Sequence, residues 1–271
     1  MNYRPSSSVF LKNILRGSFL GLVLFLGHAV SGAQSGEARI TQVAKDVKLS
    51  SPQTAPRPAT LGGTIGAGAA IRTGAKSRSE LTLADQTIAR LGANTIVRLG
   101  HGGRTLNLDE GAILFQVPKD GGGLQIGTGM IMAASTGATG LIERHSHFYM
   151  KFLLLEGEAR VFVPNHIGES IVMGAGQILI TKPDVTSLPD PAHFDIARVM
   201  KTCRLVSEFR PLASKGLIER EEQKQTDLRS KGTYIASNLV IFGRGTLVTL
   251  VLPQPAIANE RKTAKSPAPT N

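Results

Sequence analysis

Ser79-Glu80-Leu81-Thr82-Leu83-Ala84-Asp85-Gln86-Thr87-Ile88-Ala89-Arg90-Leu91 is the stretch that decides the fold class. Leu81 and Leu83 alternate with polar neighbours, Ala84-Asp85-Gln86 supplies turn residues, and Thr87 to Leu91 resumes the alternation. Side chains of a strand point to opposite faces in turn, so period-2 spacing gives each arm one apolar face, and the unit reads as a β-hairpin.

Working outward, alternation cut by glycine at short intervals runs from about Gly62 to Thr181. Thr105-Leu106-Asn107-Leu108 alternates before Asp109-Glu110-Gly111, which reads as a turn. Phe152-Leu153-Leu154-Leu155 is a continuous apolar run before Glu156-Gly157, as expected of a strand covered on both faces. Three segments echo one another: Gly111 to Pro118, Gly157 to Pro164 and Gly176 to Pro183 each place a proline seven residues after a glycine. Glycine opens the unit as a turn residue, and proline ends ladder pairing because it has no N–H to donate. The units are irregularly spaced, so a strict repeat array is not expected. The reading is mainly β, solenoid-like or sandwich-like.

Beyond Pro183 the pattern changes. Asp190-Pro191 reads as a helix start, with Phe194, Ile196, Val199, Met200 and Cys203 following mostly on one helical face. A second helix is predicted from Ser214 to about Ser230, where only Leu217, Ile218 and Leu228 are available to bury. Ser237 to Leu252 is strand-like again around Gly243-Arg244-Gly245 and is predicted to close the domain as a hairpin. Residues 253–271, with Pro253, Pro255, Pro267 and Pro269, read as a disordered tail.

At the other end, Arg4, Lys12 and Arg16 precede the apolar run Phe19 to Leu26, and Ser31-Gly32-Ala33 offers small residues before a cut between Ala33 and Gln34. About 12 apolar residues broken by His28 fall short of the roughly 20 that a spanning helix needs. The expectation is a cleaved signal peptide, export to the periplasm or beyond, and no transmembrane helix in the mature chain. Cleavage lowers the formal net charge from +11 to +8. The remaining Lys and Arg are scattered, so nucleic acid is not an expected partner, while an anionic envelope polymer is compatible with the charge. A single cysteine excludes an internal disulfide and a Cys-rich zinc site. The expected organisation is 1–33 signal peptide, 34–61 N-terminal arm and Pro-rich linker, 62–183 β domain, 184–252 helices and C-terminal strands, and 253–271 tail.

Catalytic signatures are absent: there is no GxxxxGK[ST], HExxH, GxSxG or SxxK. Cys203 is expected to be a buried structural thiol. The acidic pairs Asp109-Glu110 and Glu156 with Glu158 read as turn residues. The run Gly140 to Lys151, containing His145 and His147, resembles the first motif of the cupin family, because two imidazoles spaced i and i+2 on a strand point to one side. Lys151 occupies the place of that motif's ligating Glu, and Gly168 to Leu179 offers no second-motif His. No metal, cofactor or catalytic residue is therefore expected, with His145 and His147 the nearest candidates for a metal. A carbohydrate-active enzyme on a cupin-like or solenoid scaffold is the alternative.

The stretch from about Gly68 to Lys182 resembles the FecR domain family. The matching residues are Ile71-Arg72-Thr73-Gly74, Ser77 to Asp85, Arg90-Leu91-Gly92, Asn94-Thr95, Leu106 to Gly111, Ala134 to Gly140, Leu154-Leu155-Glu156-Gly157 and Gly174-Ala175-Gly176-Gln177. The resemblance implies a β-rich extracytoplasmic domain used in signalling and protein contact. Sigma-regulating members add a cytoplasmic segment, for which the roughly 18 residues before the apolar run are too few, and a membrane span, in whose place this run reads as cleavable. The expectation is an exported, non-catalytic binding, scaffold or signalling module with envelope or periplasmic protein partners. A membrane-anchored sigma regulator is the further alternative.

Overall fold

The computed structural model describes residues 37–232 apart from 53, 130 and 167. In chain order the first strands are β1 (Ala38–Ala44), β2 (Val47–Ser51), β3 (Thr54–Pro58), β4 (Thr64–Ile65), β5 (Ala70–Thr73), β6 (Arg78–Leu83), β7 (Ile88–Leu91) and β8 (Ile96–Leu99). They are followed by β9 (Thr105–Val117), β10 (Leu124–Gly127), β11 (Met132–Ser135), β12 (Ala138–His145), β13 (Tyr149–Phe162), β14 (Ser170–Gly174), β15 (Gln177–Thr181) and β16 (Ala192–His193). Three helices follow: α1 (Ile196–Thr202), α2 (Arg204–Ser207) and α3 (Lys215–Ser230).

The strands form two facing sheets. The first runs β4-β1-β6-β7-β9-β12-β13-β15-β16 and the second β3-β2-β5-β8-β9-β10-β11-β13-β14. Every pairing is antiparallel except β9 with β10. The alternation in the sequence places one face of each strand between the sheets. Ile40, Leu81, Leu91, Ile113, Phe115, Phe152 and Leu154 meet Leu49, Ile71, Val97, Leu106, Leu108, Ile126 and Val161 there in one apolar core.

β9 and β13 belong to both sheets, and a glycine marks each transfer. Up to Glu110, β9 pairs with β8 in the second sheet; from Gly111 it pairs with β12 in the first. Gly111 has φ 94°, and a Cβ there would stand 2.6 Å from Thr95 Cα. In β13 the change falls at Gly157, φ 79°, which faces Ala138; Glu158 to Phe162 then pair with β14. Left-handed φ bends the strand without reversing it, and only glycine adopts it cheaply. The structure thus places Gly111 and Gly157 at bends inside continuous strands, and Gly176 in the two-residue turn between β14 and β15.

The region expected as an arm contributes to both sheets. Ala38 and Ile40 are fully buried in β1, which pairs with β6, and β2 pairs with β5. Only β3, the Pro-rich piece, lies at an edge, with all five residues exposed. Pro56 and Pro58 cannot donate to a further strand, which blunts that edge. The partners of β1 and β2 lie tens of residues downstream, so local pattern alone undervalues these short strands.

The outer face of the first sheet is covered by the helices. Leu114, Leu141, Leu153, Leu155 and Ile178 pack against Phe194, Ile196, Val199, Cys203, Leu205, Leu212 and Ile218. The run Phe152 to Leu155 is therefore buried on both faces, odd and even residues serving different cores. α1 starts after Asp195, whose Oδ1 accepts a bond from Arg198 N at 3.0 Å, and not at Asp190-Pro191. Residues 192–193 are held extended by pairing with Gln177 and Ile178, which overrides the local helix-start signal. α3 matches its predicted span, although Leu228 stays exposed. The closing hairpin expected at Ser237–Leu252, the tail, and the signal segment with its Ala33–Gln34 cut lie outside the described residues. No helix among the described residues is long and apolar enough to cross a membrane.

Candidate functional site

Side-chain chemistry concentrates on the outer face of the first sheet, beneath and beside the helices. Antiparallel pairing sets Glu80 on β6 directly opposite Arg90 on β7. Arg90 Nε donates to Glu80 Oε2 at 2.9 Å, and Thr41 Oγ1 donates to Glu80 Oε1 at 2.9 Å. The remaining guanidinium nitrogens reach upward: Nη1 donates to Leu205 O at 3.1 Å and Nη2 to Arg210 O at 2.6 Å. Its Cζ also lies over the Phe209 ring, 4.9 Å from the ring centre. Only Arg presents a fork that can engage a carboxylate and two carbonyls at once.

A second pair repeats this logic on neighbouring strands. Glu143 on β12 faces Lys151 on β13, with Nζ 3.0 Å from Oε2, and both are almost wholly buried. Tyr149 Oη donates to Glu143 Oε1 at 3.1 Å. Burial, reinforced by the Glu143 charge, raises the pKa of that phenol, so it remains a donor.

The third group lies at the start of α3, beside a cleft of about 380 Å³ lined by Gln86, Ile88, Gln116, Lys119, Glu156 and Leu217 among others. Thr139 Oγ1 lies 2.7 Å from both Glu156 Oε1 and Ser214 Oγ, and Ser214 N donates to Gln116 Oε1 at 3.4 Å. Burial raises the pKa of Glu156, with the Thr139 hydrogen bond working in the opposite sense. Thr139 separates Ser214 from the carboxyl, so the serine has no base beside it of the kind a nucleophile requires. The network joins α3 to β9, β12 and β13.

Cys203 is buried, and that burial pushes its thiol up to about 11, so it is protonated at neutral pH and unsuited to nucleophilic attack. His145 ends β12, with Nδ1 3.6 Å from Glu110 Oε1 and its ring against Phe148 and Tyr149. His147 is exposed in the following turn, so the two imidazoles do not share a strand face. Among the described residues no group of three or more His, Cys, Asp or Glu is placed to hold a metal. Asp109 pairs with Arg98 at 2.7 Å, and Glu110 accepts from Ser146 N at 3.1 Å.

Glu80, Arg90, Glu143 and Thr139 were not singled out as site residues from the sequence, and Glu156 only as a turn residue although it lies within β13, though a signal existed. Glu80 and Arg90 are equidistant from the Asp85 turn, so the predicted hairpin already set them opposite one another. Lys151, noted only as a misfit in a metal motif, is the partner of Glu143.

β5 to β13 form the centre of both sheets, and it is there that the chain matches a known family. Residues 69–161 match the FecR protein family. The FecR match therefore begins just before β5 and ends one residue short of the end of β13, covering both sheet-crossing strands. It includes Glu80–Arg90 and Glu143–Lys151, and excludes the helices. Two crystal structures, at 1.65 Å and 2.50 Å resolution, of a protein from Parabacteroides distasonis ATCC 8503 provisionally described as an anti-sigma factor are similar to the chain. Their TM-scores are 0.42 and 0.41 and their identities 19% and 17%, over 48% of this chain and 62% of theirs. None of the curated proteins compared matches the chain.

Proposed function

We propose that this chain is an exported FecR-domain protein, acting in the periplasm or cell envelope as a non-catalytic binding, scaffold or signalling module whose partners are proteins. The observation that carries this reading is the FecR match over residues 69–161, the span that builds the centre of both sheets. It is supported by the use made of the chemistry-bearing side chains: Arg90, Lys151, Thr139 and Ser214 are all committed to bonds that hold strands and helices together. The basic formal charge, +11 over the full chain, is compatible with an anionic envelope polymer as a further partner. The organisation we propose begins with a signal peptide removed between Ala33 and Gln34.

Two measurements test this. Mass spectrometry of the mature N-terminus is expected to find Gln34 first; Met1 retained on a cytoplasmic protein would end the export reading. Crosslinking in intact cells with mature protein as bait is expected to recover a specific envelope protein. Recovery of only cytoplasmic proteins would refute the proposed setting.

A further inference from the structure

The charges of Glu80–Arg90 and Glu143–Lys151 are spent on one another, whereas those around the cleft of about 380 Å³ at the start of α3 are not. The floor of that cleft is one row of side chains. Thr82, Ile88, Gln116, Thr139 and Glu156 stand across β6, β7, β9, β12 and β13, each directly opposite the next. Ile88, Val117, Pro118, Ala213 and Leu217 give the cleft apolar walls. Its size and its mixture of apolar walls with a few polar groups are those of a small-molecule site.

Gln116 and Glu156 are each only 5% exposed, yet each spends one polar atom on the α3 network and keeps the other free. Gln116 Oε1 accepts from Ser214 N and Oγ, both at 3.4 Å, and Glu156 Oε1 is bonded to Thr139. Gln116 Nε2 and Glu156 Oε2 have no partner among the described residues, and neither atom is enclosed by protein, so both open on the cleft that their residues line. Lys119 stands at the rim, exposed, with no ion pair or hydrogen bond among the described residues. The first turn of α3, a helix of 16 residues, places Ser214 and Leu217 in the lining and so brings its positive end to the same place.

A free ammonium, a free amide N–H and a helix N-terminus together suit one negative charge. Because Gln116 Oε1 is tied to Ser214 N, its Nε2 is fixed beside the start of α3, where that charge would sit. Glu156 is the one acidic residue in the lining. Burial favours its neutral form, against the Lys119 charge and with the Glu221 charge on α3; as a neutral carboxyl it adds a donor where an ion would repel. A singly charged carboxylate fits this set better than a phosphate, which carries up to two charges. The apolar walls call for an apolar body on the same molecule. Each strand of the floor is paired on both sides, so no backbone ladder is open to a peptide and recognition rests on side chains.

We infer that this cleft is a binding site for a small amphipathic carboxylate, an aliphatic acid whose head is held by Lys119 and Gln116 Nε2 at the start of α3 and whose tail lies on Ile88, Val117 and Leu217. This goes beyond the proposed function by assigning a ligand class to a site on this chain. It depends neither on where the protein resides nor on any protein partner, so its failure and the failure of the export reading are separable.

Isothermal titration of the full chain with decanoate, acetate and decylammonium, each below its micellar concentration, tests this. Decanoate is expected to saturate a single site. Acetate, the head alone, is expected to bind at least about a hundredfold more weakly, since each buried CH₂ is worth about fourfold in affinity. Decylammonium, the same tail with the opposite charge, is expected not to bind there. Lys119→Met removes an exposed charge that holds nothing in the fold and should weaken decanoate about tenfold. Gln116→Glu keeps the acceptor for Ser214 N but turns the free donor into a like charge, and should weaken it at least as much. Glu156→Gln, which removes the one acidic group in the lining, should tighten decanoate by up to about tenfold. Circular dichroism checks that each variant is folded. No saturable binding of decanoate, decylammonium bound as tightly, or decanoate binding that Lys119→Met leaves unchanged would overturn the inference.

Discussion

Substituting Gly157 by Ala tests whether the transfer of β13 between the sheets depends on a glycine. Two effects act there. A φ of 79° forces an L side chain into the left-handed region, at about 1–2 kcal/mol. The added Cβ would also press on the Gly137 carbonyl and stand 2.8 Å from Ala138 Cα. Both obstacles are backbone of the neighbouring segment, which cannot rotate away, so β12 must shift against β13; overpacking of this kind costs about 1–3 kcal/mol. The expected loss is therefore about 2–5 kcal/mol. For a domain of this size that corresponds to roughly 5–15 °C in Tm. Gly168→Ala is the matched control, because its φ is 93° but nothing lies within 4 Å of the added Cβ, so only the conformational cost remains. Urea unfolding followed by circular dichroism compares the two. If Gly157→Ala is no more destabilising than Gly168→Ala, the steric account of the crossing is wrong.

Two further outcomes are expected on the first sheet's outer face. Because burial holds the folded-state pKa of Glu156 above its unfolded value, the folded state binds the proton more tightly, and stability falls as pH rises from the unfolded pKa through the folded one. Glu156→Gln should remove that fall, making thermal melts flatter on the alkaline side of the ordinary carboxylate range; an unchanged pH profile would show that Glu156 is not its source. Lys151→Met alone strands the Glu143 charge in the interior and should cost about 3–5 kcal/mol, while Glu143→Leu with Lys151→Met should recover most of it in urea unfolding. A double variant as unstable as the single would mean that the pair contributes net stability as an ion pair.

How legible the fold was depended on the distance between pairing partners. The Glu80–Arg90 hairpin is local, so alternation and turn residues together predict its strands, and the ion pair across them follows from that register without having been singled out. Leu153 and Leu155 against Phe152 and Leu154 could likewise be read as a strand covered on both sides. β1 and β2 were misjudged because Ala38, Ile40, Val47 and Leu49 are few, and their burial comes from β6 and β5. Glu156 and Ser214 lie 58 positions apart and are joined through Thr139 only because α3 is laid across the sheet; no spacing rule in the chain announces that network.

The irregular spacing of the glycine-to-proline segments now has a physical reason. The first two, Gly111 to Pro118 and Gly157 to Pro164, open at the bends of β9 and β13, while the third opens at the β14–β15 turn. Each bend commits one half of a long strand to each sheet, so the strands that fill the rest of both sheets must be inserted between successive bends. After Gly111 those are the end of β9, β10, β11, β12 and the start of β13. After Gly157 only the end of β13 and β14 are needed before Gly176. Unequal intervals thus follow from two sheets sharing two strands, whereas a stacked array of equal coils would require equal ones. The same sharing explains why the Glu143–Lys151 register is tightly held: β13 is hydrogen-bonded to β12 and β15 on one side of the bend and to β11 and β14 on the other, so a slip of one residue would break all four ladders and turn Lys151 into the core between the sheets.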